Sequence, residues 1–252
     1  MNKTVFISGA TSGIGKACAV IFAKNGYNLI INGRRKEKLE EIKTSLEASY
    51  KVKIHCVPFD VSNREAVFKK IESLPAAWQE IDILINNAGL ALGRELVDDA
   101  IMSDWETMID TNINGLLYVS KAILPFMIKN NKGHIINMGS IAGDQAYERG
   151  NVYCATKSAV DTISKAMRID LLPHRIKVTN IKPGAVETEF ALVRFKGDEE
   201  KASKTYQGFT PLSPEDIANT IFYCASLPDN VCINELSITC LSQANGVYTF
   251  KD

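Results

Sequence analysis

The sequence feature that most restricts the fold is a glycine-rich turn near the start of the chain. A short β-rich run over 4–8 leads into the turn Gly9–Gly15, and a helical pattern follows over about 14–25. A strand, a glycine-rich turn and a helix form the first unit of a dinucleotide-binding fold, in which main-chain N–H groups receive a pyrophosphate. The glycine spacing is G-x-x-x-G-x-G rather than G-x-G-x-x-G, so a tight turn without a ligand also fits.

Strand-like apolar runs and helical patterns alternate along the rest of the chain. Further strands are expected at 28–32, 53–59, 81–85, 133–140, 175–181 and 235–240, and further helices at 36–49, 63–73, 105–129, 152–172 and 214–226. This alternation predicts one α/β domain over 1–252, a Rossmann-like doubly wound parallel sheet of about seven strands with helices on both faces. The less regular span 189–214 is predicted to be a substrate lid within that domain.

Composition and charge argue against several classes of protein. The 252 residues are 46% hydrophobic, enough for a sizeable core, and 29 basic residues balance 29 acidic ones, which disfavours a broad nucleic-acid footprint. No apolar run of about 18 residues is present and the N-terminus lacks a signal-peptide pattern, so we expect a cytoplasmic protein without a membrane span. Six cysteines without C-x-x-C spacing and three scattered histidines predict reduced thiols and no metal site.

A tyrosine and a lysine four residues apart, Tyr153 and Lys157, would lie on one face of a helix and share a small site. A phenol has a pKa of roughly 10, and a neighbouring cation is expected to lower it toward the range of acid/base catalysis. The spacing alone is common on solvated helix faces. Ser140 at a predicted strand tip supports a site here, and Asn112 among apolar helical positions needs hydrogen-bond partners and could hold a kink or a water.

Basic residues follow the second strand, at Arg34 and Arg35. An acid at this strand tip would bind ribose hydroxyls, whereas arginine suits a 2′-phosphate, so the position favours NADP over NAD. The alternative is that these residues only begin an exposed helix. At the third strand, the carboxylate of Asp60 could reach an adenine amino group, and Asp60 or Ser62 could instead cap the next helix.

In their order and spacing, these motifs resemble those of the classical short-chain dehydrogenases/reductases over essentially the whole chain. The matching motifs are Gly9-x-x-x-Gly13-Ile14-Gly15, Asn86-Asn87-Ala88-Gly89, Asn112, Ser140, Tyr153-x-x-x-Lys157 and Pro183-Gly184. One departure is Ser8, where the family usually has threonine, and the hydroxyl is kept.

A narrower resemblance is to the NADP-dependent 3-hydroxy acid dehydrogenases, a subgroup of serine and L-allo-threonine dehydrogenases and malonic semialdehyde and sulfoacetaldehyde reductases. It rests on the segments 74–78, 89–93, 104–112, 150–153 and 193–198. The resemblance implies an NADP(H)-dependent oxidoreductase that transfers a hydride between the cofactor and a small 3-hydroxy acid, or its 3-oxo acid or semialdehyde. It also implies a homotetramer.

The resemblance assigns roles to four catalytic residues. Tyr153 would be the general acid or base, Lys157 would lower its pKa and bind the nicotinamide ribose, and Ser140 would hold the substrate oxygen. Asn112 would position a water that relays protons. The implied cofactor contacts are Gly9, Thr11, Ser12, Gly13, Ile14, Arg34, Arg35, Asp60, Val61, Asn87, Ala88, Gly89, Tyr153, Lys157, Pro183, Gly184, Val186 and Thr188.

Recognition of a small acid requires a cation or a set of hydrogen-bond donors near the reacting carbonyl, and arginine is the best bidentate partner for a carboxylate or sulfonate. Arg149 lies in the loop before Tyr153 and Arg194 lies in the predicted lid, so both are candidates, and solvent exposure is the alternative for each. Ser140 and Tyr147 complete the expected substrate set. Two other functions remain open: a reductase of bulkier or neutral ketones or 3-oxoacyl thioesters, and a non-catalytic NADP-binding regulatory protein.

Overall fold

Seven strands form one sheet in which every neighbouring pair is parallel. The computed structural model describes residues 2–251, and the strands are β1 (Thr4–Ile7), β2 (Asn28–Gly33), β3 (Ile54–Pro58), β4 (Ile83–Asn86), β5 (Gly133–Met138), β6 (Ile176–Pro183) and β7 (Glu235–Ile238). Their order is β3-β2-β1-β4-β5-β6-β7. Parallel strands need crossover connections, and the helices that make them cover the faces of the sheet. The predicted Rossmann-like doubly wound fold is confirmed.

Helices pack on both faces of the sheet. They are α1 (Gly13–Lys24), α2 (Lys36–Ser49), α3 (Arg64–Glu72), α4 (Met102–Ile109), α5 (Leu116–Lys129), α6 (Asn151–Asp170), α7 (Phe190–Arg194), α8 (Glu199–Lys204) and α9 (Pro214–Ser226). Successive strand residues alternate between two cores: Val5 and Ile7 pack with α1, α2 and α9, whereas Phe6 packs with α3 and α5. Each face of the sheet therefore has its own apolar core.

Apart from shifts of one or two residues at the ends of elements, the structure differs from the sequence predictions at three places. The helix expected over 105–129 begins at Met102 and is interrupted by a π-helical segment, Asp110–Gly115. The span 189–214 contains the short helices α7 and α8 rather than irregular chain alone. The predicted cap of α3 is wrong, because Asn63 is the N-cap and its Oδ1 accepts from Ala66 N at 3.0 Å.

A row of buried asparagines crosses the middle of the sheet. Asn86 pairs with Asn137 in the β4–β5 register, and Asn137 pairs with Asn180 in the β5–β6 register. Asn86 Nδ2 donates to Asn137 Oδ1 at 2.9 Å, and Asn137 Nδ2 donates to Ser164 Oγ on α6 at 2.9 Å. A slip of one residue would turn these amides to the other face without partners, so the row fixes the strand register.

A buried lysine joins four parts of the chain beside this row. Lys182 Nζ on β6 lies 2.9 Å from Asp144 Oδ1, 3.0 Å from Asp161 Oδ1 on α6 and 2.9 Å from Glu235 Oε2 on β7. Burial alone would lower the pKa of Lys182, but the three carboxylates outweigh it and raise the pKa. A buried charge persists only when paired in this way, so Lys182 ties the loop after β5 to α6 and β7.

The remaining predictions concern cysteines, metals and membranes. All six cysteines lie within the described residues and are free thiols. Across residues 2–251 no group of three potential metal ligands occurs. In the same part of the chain, no helix combines the length and the apolar character that crossing a bilayer would need.

Candidate active site

A cleft with a volume of about 860 Å³ opens at the carboxyl ends of the strands. Ligands of open parallel sheets bind at this edge, because the strand tips and the turns that follow them meet there. Every residue predicted to contact the cofactor lines the cleft, as do three of the four predicted substrate residues, Ser140, Tyr147 and Arg194. Two predicted site residues, Asn112 and Arg149, are not in the lining.

The glycine turn after β1 is fixed against the turn after β4. Gly9 has a φ of +67°, and a Cβ at this position would lie 2.9 Å from Ala88 Cα, so a side chain there would collide with the neighbouring main chain. Asn87 Nδ2 donates to the carbonyls of Ser8 and Gly9 at 3.0 and 3.1 Å. The Ser8 hydroxyl accepts from Asn87 N and Ala88 N, both at 3.0 Å, so serine fills the usual threonine position.

The start of α1 lies in the cleft as part of the same turn. The helix begins at Gly13, which has a φ of +49°, and Ser12 and Ile14 also line the cleft. The first N–H groups of a helix have no partners within the helix and carry its positive dipole end. This turn therefore has the geometry and polarity to hold a pyrophosphate.

The two arginines after β2 differ in their contacts. Arg35 donates from Nε and Nη2 to Thr11 Oγ1 at 3.2 and 2.9 Å, and its Nη1 lies 3.1 Å from Glu189 Oε2. Arg34 is largely exposed, and its Nη1 lies 3.7 Å from Asp60 Oδ2. Arg35 is held between the glycine turn and the start of the predicted lid, whereas Arg34 is held loosely at the rim. Sequence reasoning did not identify Glu189.

Tyr153 and Lys157 lie on α6 with their side chains buried at the floor of the cleft. Lys157 Nζ donates to the carbonyl of Met138 at 2.8 Å and lies 5.9 Å from the centroid of the Tyr153 ring. Ser140 Oγ accepts from Ala142 N at 3.1 Å and donates to Pro183 O at 3.3 Å, which fixes the serine at the tip of β5. The residues that the motifs predicted to act together are therefore adjacent.

The pKa of Tyr153 does not follow the sequence prediction. Burial raises it, the neighbouring Tyr147 raises it further, and the Ser140 hydroxyl and the charge of Arg194 oppose the rise only in part. The net shift is therefore opposite to the predicted one: the Arg194 cation lowers the pKa of Tyr153, but desolvation of the phenolate is the larger effect. Burial also lowers the pKa of Lys157 to about 8.

Asn112 lies behind the cleft in the π-helical segment. Its Nδ2 donates to Leu90 O at 2.8 Å and to Thr156 Oγ1 at 3.1 Å, and its Oδ1 accepts from Leu90 N at 2.8 Å. The expectation that this buried amide needs hydrogen-bond partners is confirmed. The side chain joins the segment after β4 to α6, and π-helical turns of this kind are frequent at functional sites.

A cluster of arginine and aromatic side chains covers Tyr153. Arg194 Nη1 donates to Tyr147 Oη at 2.9 Å, and the Arg194 guanidinium carbon lies 5.5 Å from the centroid of the Tyr153 ring. Arg149, by contrast, is exposed on a left-handed turn with a φ of +63° and does not line the cleft. Arg94 does line the cleft, and sequence reasoning missed it although it follows the predicted β4 turn.

The end of the chain forms another wall that sequence reasoning missed. Gln243, Val247 and Lys251 line the cleft, and Gln243 Oε1 accepts from Ala185 N at 2.8 Å. A segment beyond the last strand has no periodic pattern, so no signal in the sequence placed it near the site.

The fold and the cleft together define an α/β dinucleotide-binding protein with a tyrosine, a lysine and a serine at the sheet edge. The chain belongs to the short-chain dehydrogenase family, whose model matches residues 3–198. It is 47% identical over 241 residues to an NADP-dependent 3-hydroxy acid dehydrogenase of Salmonella typhi, covering 95% of this chain and 96% of that one. It is 42% identical to a serine 3-dehydrogenase of Agrobacterium fabrum, covering 97% and 96%. A closed form of serine dehydrogenase complexed with NADP+ matches with a TM-score of 0.93 and 45% identity over 99% of both chains.

The burial of Lys157 predicts a pH-dependent stability difference between the wild type and Lys157→Met. The pKa falls from 10.5 to about 8 on folding, so the unfolded chain binds more protons between these values and the wild type gains unfolding free energy as pH rises through them. Urea unfolding at pH 7.5 and pH 10 should show the wild type gaining up to about 3 kcal/mol relative to the variant. Lys165→Met, which removes an exposed lysine of the same helix, is the control and should show no such gain. A pH-independent difference for Lys157→Met would contradict the buried, desolvated lysine.

Proposed function

We propose that the protein is an NADP-dependent oxidoreductase that interconverts small 3-hydroxy acids and their 3-oxo acids or semialdehydes. The observation that carries the proposal is the position of Arg194 beside Tyr153, with 5.5 Å between the guanidinium carbon and the ring centroid. If Arg194 binds the carboxylate of a 3-hydroxy acid, the hydroxyl on C3, two carbons from the carboxyl carbon, would reach the Tyr153 phenol. The names of the relatives, 3-hydroxy acid and serine dehydrogenases, agree with this substrate class.

The cleft fits a dinucleotide with a 2′-phosphate. The glycine turn and the start of α1 line the cleft and can offer main-chain N–H groups to a pyrophosphate, and Arg34 and Arg35 supply guanidinium donors at the strand tip. When bound, NADP(H) accepts or supplies the hydride. The similar solved structure, a serine dehydrogenase complexed with NADP+, supports this cofactor.

Each catalytic role matches the chemistry of its side chain. The Tyr153 hydroxyl gives a proton to the substrate oxygen in reduction and takes it back in oxidation, while the Ser140 hydroxyl orients that oxygen. Burial lowers the pKa of Lys157 to about 8, so this lysine changes between its charged and neutral forms near neutral pH. In this role it exchanges protons with the Tyr153 phenol. Asn112 keeps the π-helical turn in place behind Lys157 and is the proposed holder of a relay water.

For the acid group, Arg194 and Tyr147 are the proposed binding residues, and Arg149 is not. Arg194 donates to Tyr147 Oη, so the two present a joined set of donors above Tyr153. Arg149 is exposed and does not line the cleft, which argues against direct contact with the substrate.

The span 189–214 is the proposed lid of the single domain. Two contacts that join this span to the segment after β4 and to α4 support the proposal: Gly93 N donates to Arg194 O at 2.9 Å, and Lys196 Nζ lies 2.7 Å from the buried Asp104 carboxylate. The matching relative is described as a closed form with NADP+ bound, which supports closure over the cofactor.

We also infer a homotetramer that functions in the cytoplasm. Exposed apolar side chains on and near α4 and α5, including Met102 and Ile109, offer surface for subunit contacts. Six free thiols are typical of a reducing compartment.

The alternative of a reductase for neutral ketones or 3-oxoacyl thioesters is disfavoured by the arginine cluster, since a neutral substrate would leave these charges without a partner. A non-catalytic regulatory protein is disfavoured by the retention of Tyr153, Lys157 and Ser140 in one buried site.

The function is tested by following NADPH formation with L-serine, L-allo-threonine, 3-hydroxypropionate, 3-hydroxyisobutyrate and isethionate. Turnover of at least one acid is expected, and Tyr153→Phe should lower kcat by about 100-fold or more because the proton carrier is lost. NADPH binding to Tyr153→Phe, measured by nicotinamide fluorescence, should be unchanged. No turnover of any acid by the wild type, together with brisk reduction of neutral ketones or acyl thioesters, would overturn the proposal.

Cofactor choice is tested at the strand tip. Arg34→Ala and Arg35→Ala should each raise the KM for NADP more than the KM for NAD, because only NADP has the 2′-phosphate, and about tenfold is expected for one charge-assisted contact. Lys36→Ala removes a neighbouring exposed charge outside the cleft lining and is the control. Equal effects of the arginine variants on both cofactors would rule out a phosphate contact.

A further inference from the structure

Two arginines face one aromatic ring at the substrate end of the cleft. The guanidinium carbons of Arg94 and Arg194 lie 5.9 and 5.6 Å from the centroid of the Tyr147 ring. Both arginines line the cleft, and within residues 2–251 neither has a carboxylate within salt-bridge distance. Arg194 donates hydrogen bonds to Tyr147 Oη and Gly93 O, whereas the Arg94 side chain makes no hydrogen bond within the described residues 2–251.

The charges near Arg94 are predominantly positive. Arg194 and Arg149 repel its guanidinium, whereas the phenol of Tyr147 and, more weakly, the exposed carboxylate of Glu148 attract it. Partial burial, followed by the charge of Arg194, lowers the pKa of Arg94, which reflects the unfavourable free energy of placing a second cation here. A bound anion would relieve this repulsion, and a bound cation would increase it.

We propose that Arg94 is a specificity-determining residue that makes the site prefer 3-hydroxy acids with a net negative charge over zwitterionic amino acids such as serine. This inference rests on the proposed function. The α-ammonium of serine is bonded to the carbon next to the carboxylate, so any substrate acid bound by Arg194 brings that ammonium toward the same cluster. In 3-hydroxypropionate a hydrogen replaces the ammonium, and the attraction of both arginines is kept.

The test compares kcat/KM for 3-hydroxypropionate and L-serine in the wild type, Arg94→Met and Arg94→Lys, at fixed saturating NADP. The wild type should favour 3-hydroxypropionate. Arg94→Met should lower kcat/KM for 3-hydroxypropionate about tenfold, which is the effect expected from the loss of one partly exposed charged contact. The change should come mainly from a higher KM. The kcat/KM for serine should fall much less. Arg94→Lys should restore most of the preference, because it restores the charge.

Arg149→Met is the matched control, since it removes an exposed arginine of the same region that does not line the cleft. The ratio of the two kcat/KM values should stay at the wild-type level in this variant. The KM for NADP should not change and the melting temperature should not fall in any variant, because Arg94 lies outside the predicted cofactor set and is exposed at the rim.

The possible failures are distinguishable. If the wild type oxidises none of the acids named under the proposed function with NADP, the proposed function is overturned and this inference with it. If it oxidises another of those acids but neither 3-hydroxypropionate nor serine, only this inference is overturned. If the wild type oxidises both but prefers serine, or if Arg94→Met lowers both values equally or neither, the inference is overturned and the proposed function stands. If Arg149→Met changes the ratio as much as Arg94→Met, the preference arises from the summed positive charge of the region and the specific role of Arg94 is overturned.

Discussion

The row of buried asparagines across β4, β5 and β6 is the interaction on which the geometry of the site depends. Asn137 lies between Asn86 and Asn180 in register, accepts from Asn86 and donates to Ser164 on α6. Ser140 follows β5 by two residues and Pro183 ends β6, so the register of these strands sets where both meet α6. Because a slip would leave several amides buried without partners, one alignment is strongly favoured.

Two buried lysines at the same sheet edge have pKa values shifted in opposite directions by their different neighbours. Lys182 has three carboxylate partners, its pKa is raised, and it stays charged as a structural link between strands, helix and loop. Lys157 has a main-chain carbonyl as its partner, so desolvation dominates and its pKa falls to about 8. Lys182 therefore keeps its proton, whereas Lys157 can exchange one, as the proposed proton transfer at Tyr153 requires.

The parts of the fold and site that could be predicted from the sequence are those with a local signal. The periodicity of a strand or helix reports burial of its own residues, so the sheet, most helices and the glycine turn were predicted, and the ordered motifs placed Tyr153 and Lys157 together. Arg94 and the tail near Gln243 enter the cleft only through folding of distant segments, which leaves no local pattern. The rise in the pKa of Tyr153 also escaped prediction, because burial of a single phenol depends on side chains from several elements.

Oxidation in this cleft moves a hydride from C3 of a small hydroxy acid to NADP. The most direct measurement uses 3-hydroxypropionate with deuterium at both C3 positions and NADP+, followed by mass spectrometry of the NADPH formed. Each NADPH produced should carry one deuterium on the nicotinamide, and Tyr153→Phe should not form this product. NADPH without deuterium, or no NADPH from any 3-hydroxy acid, would contradict it.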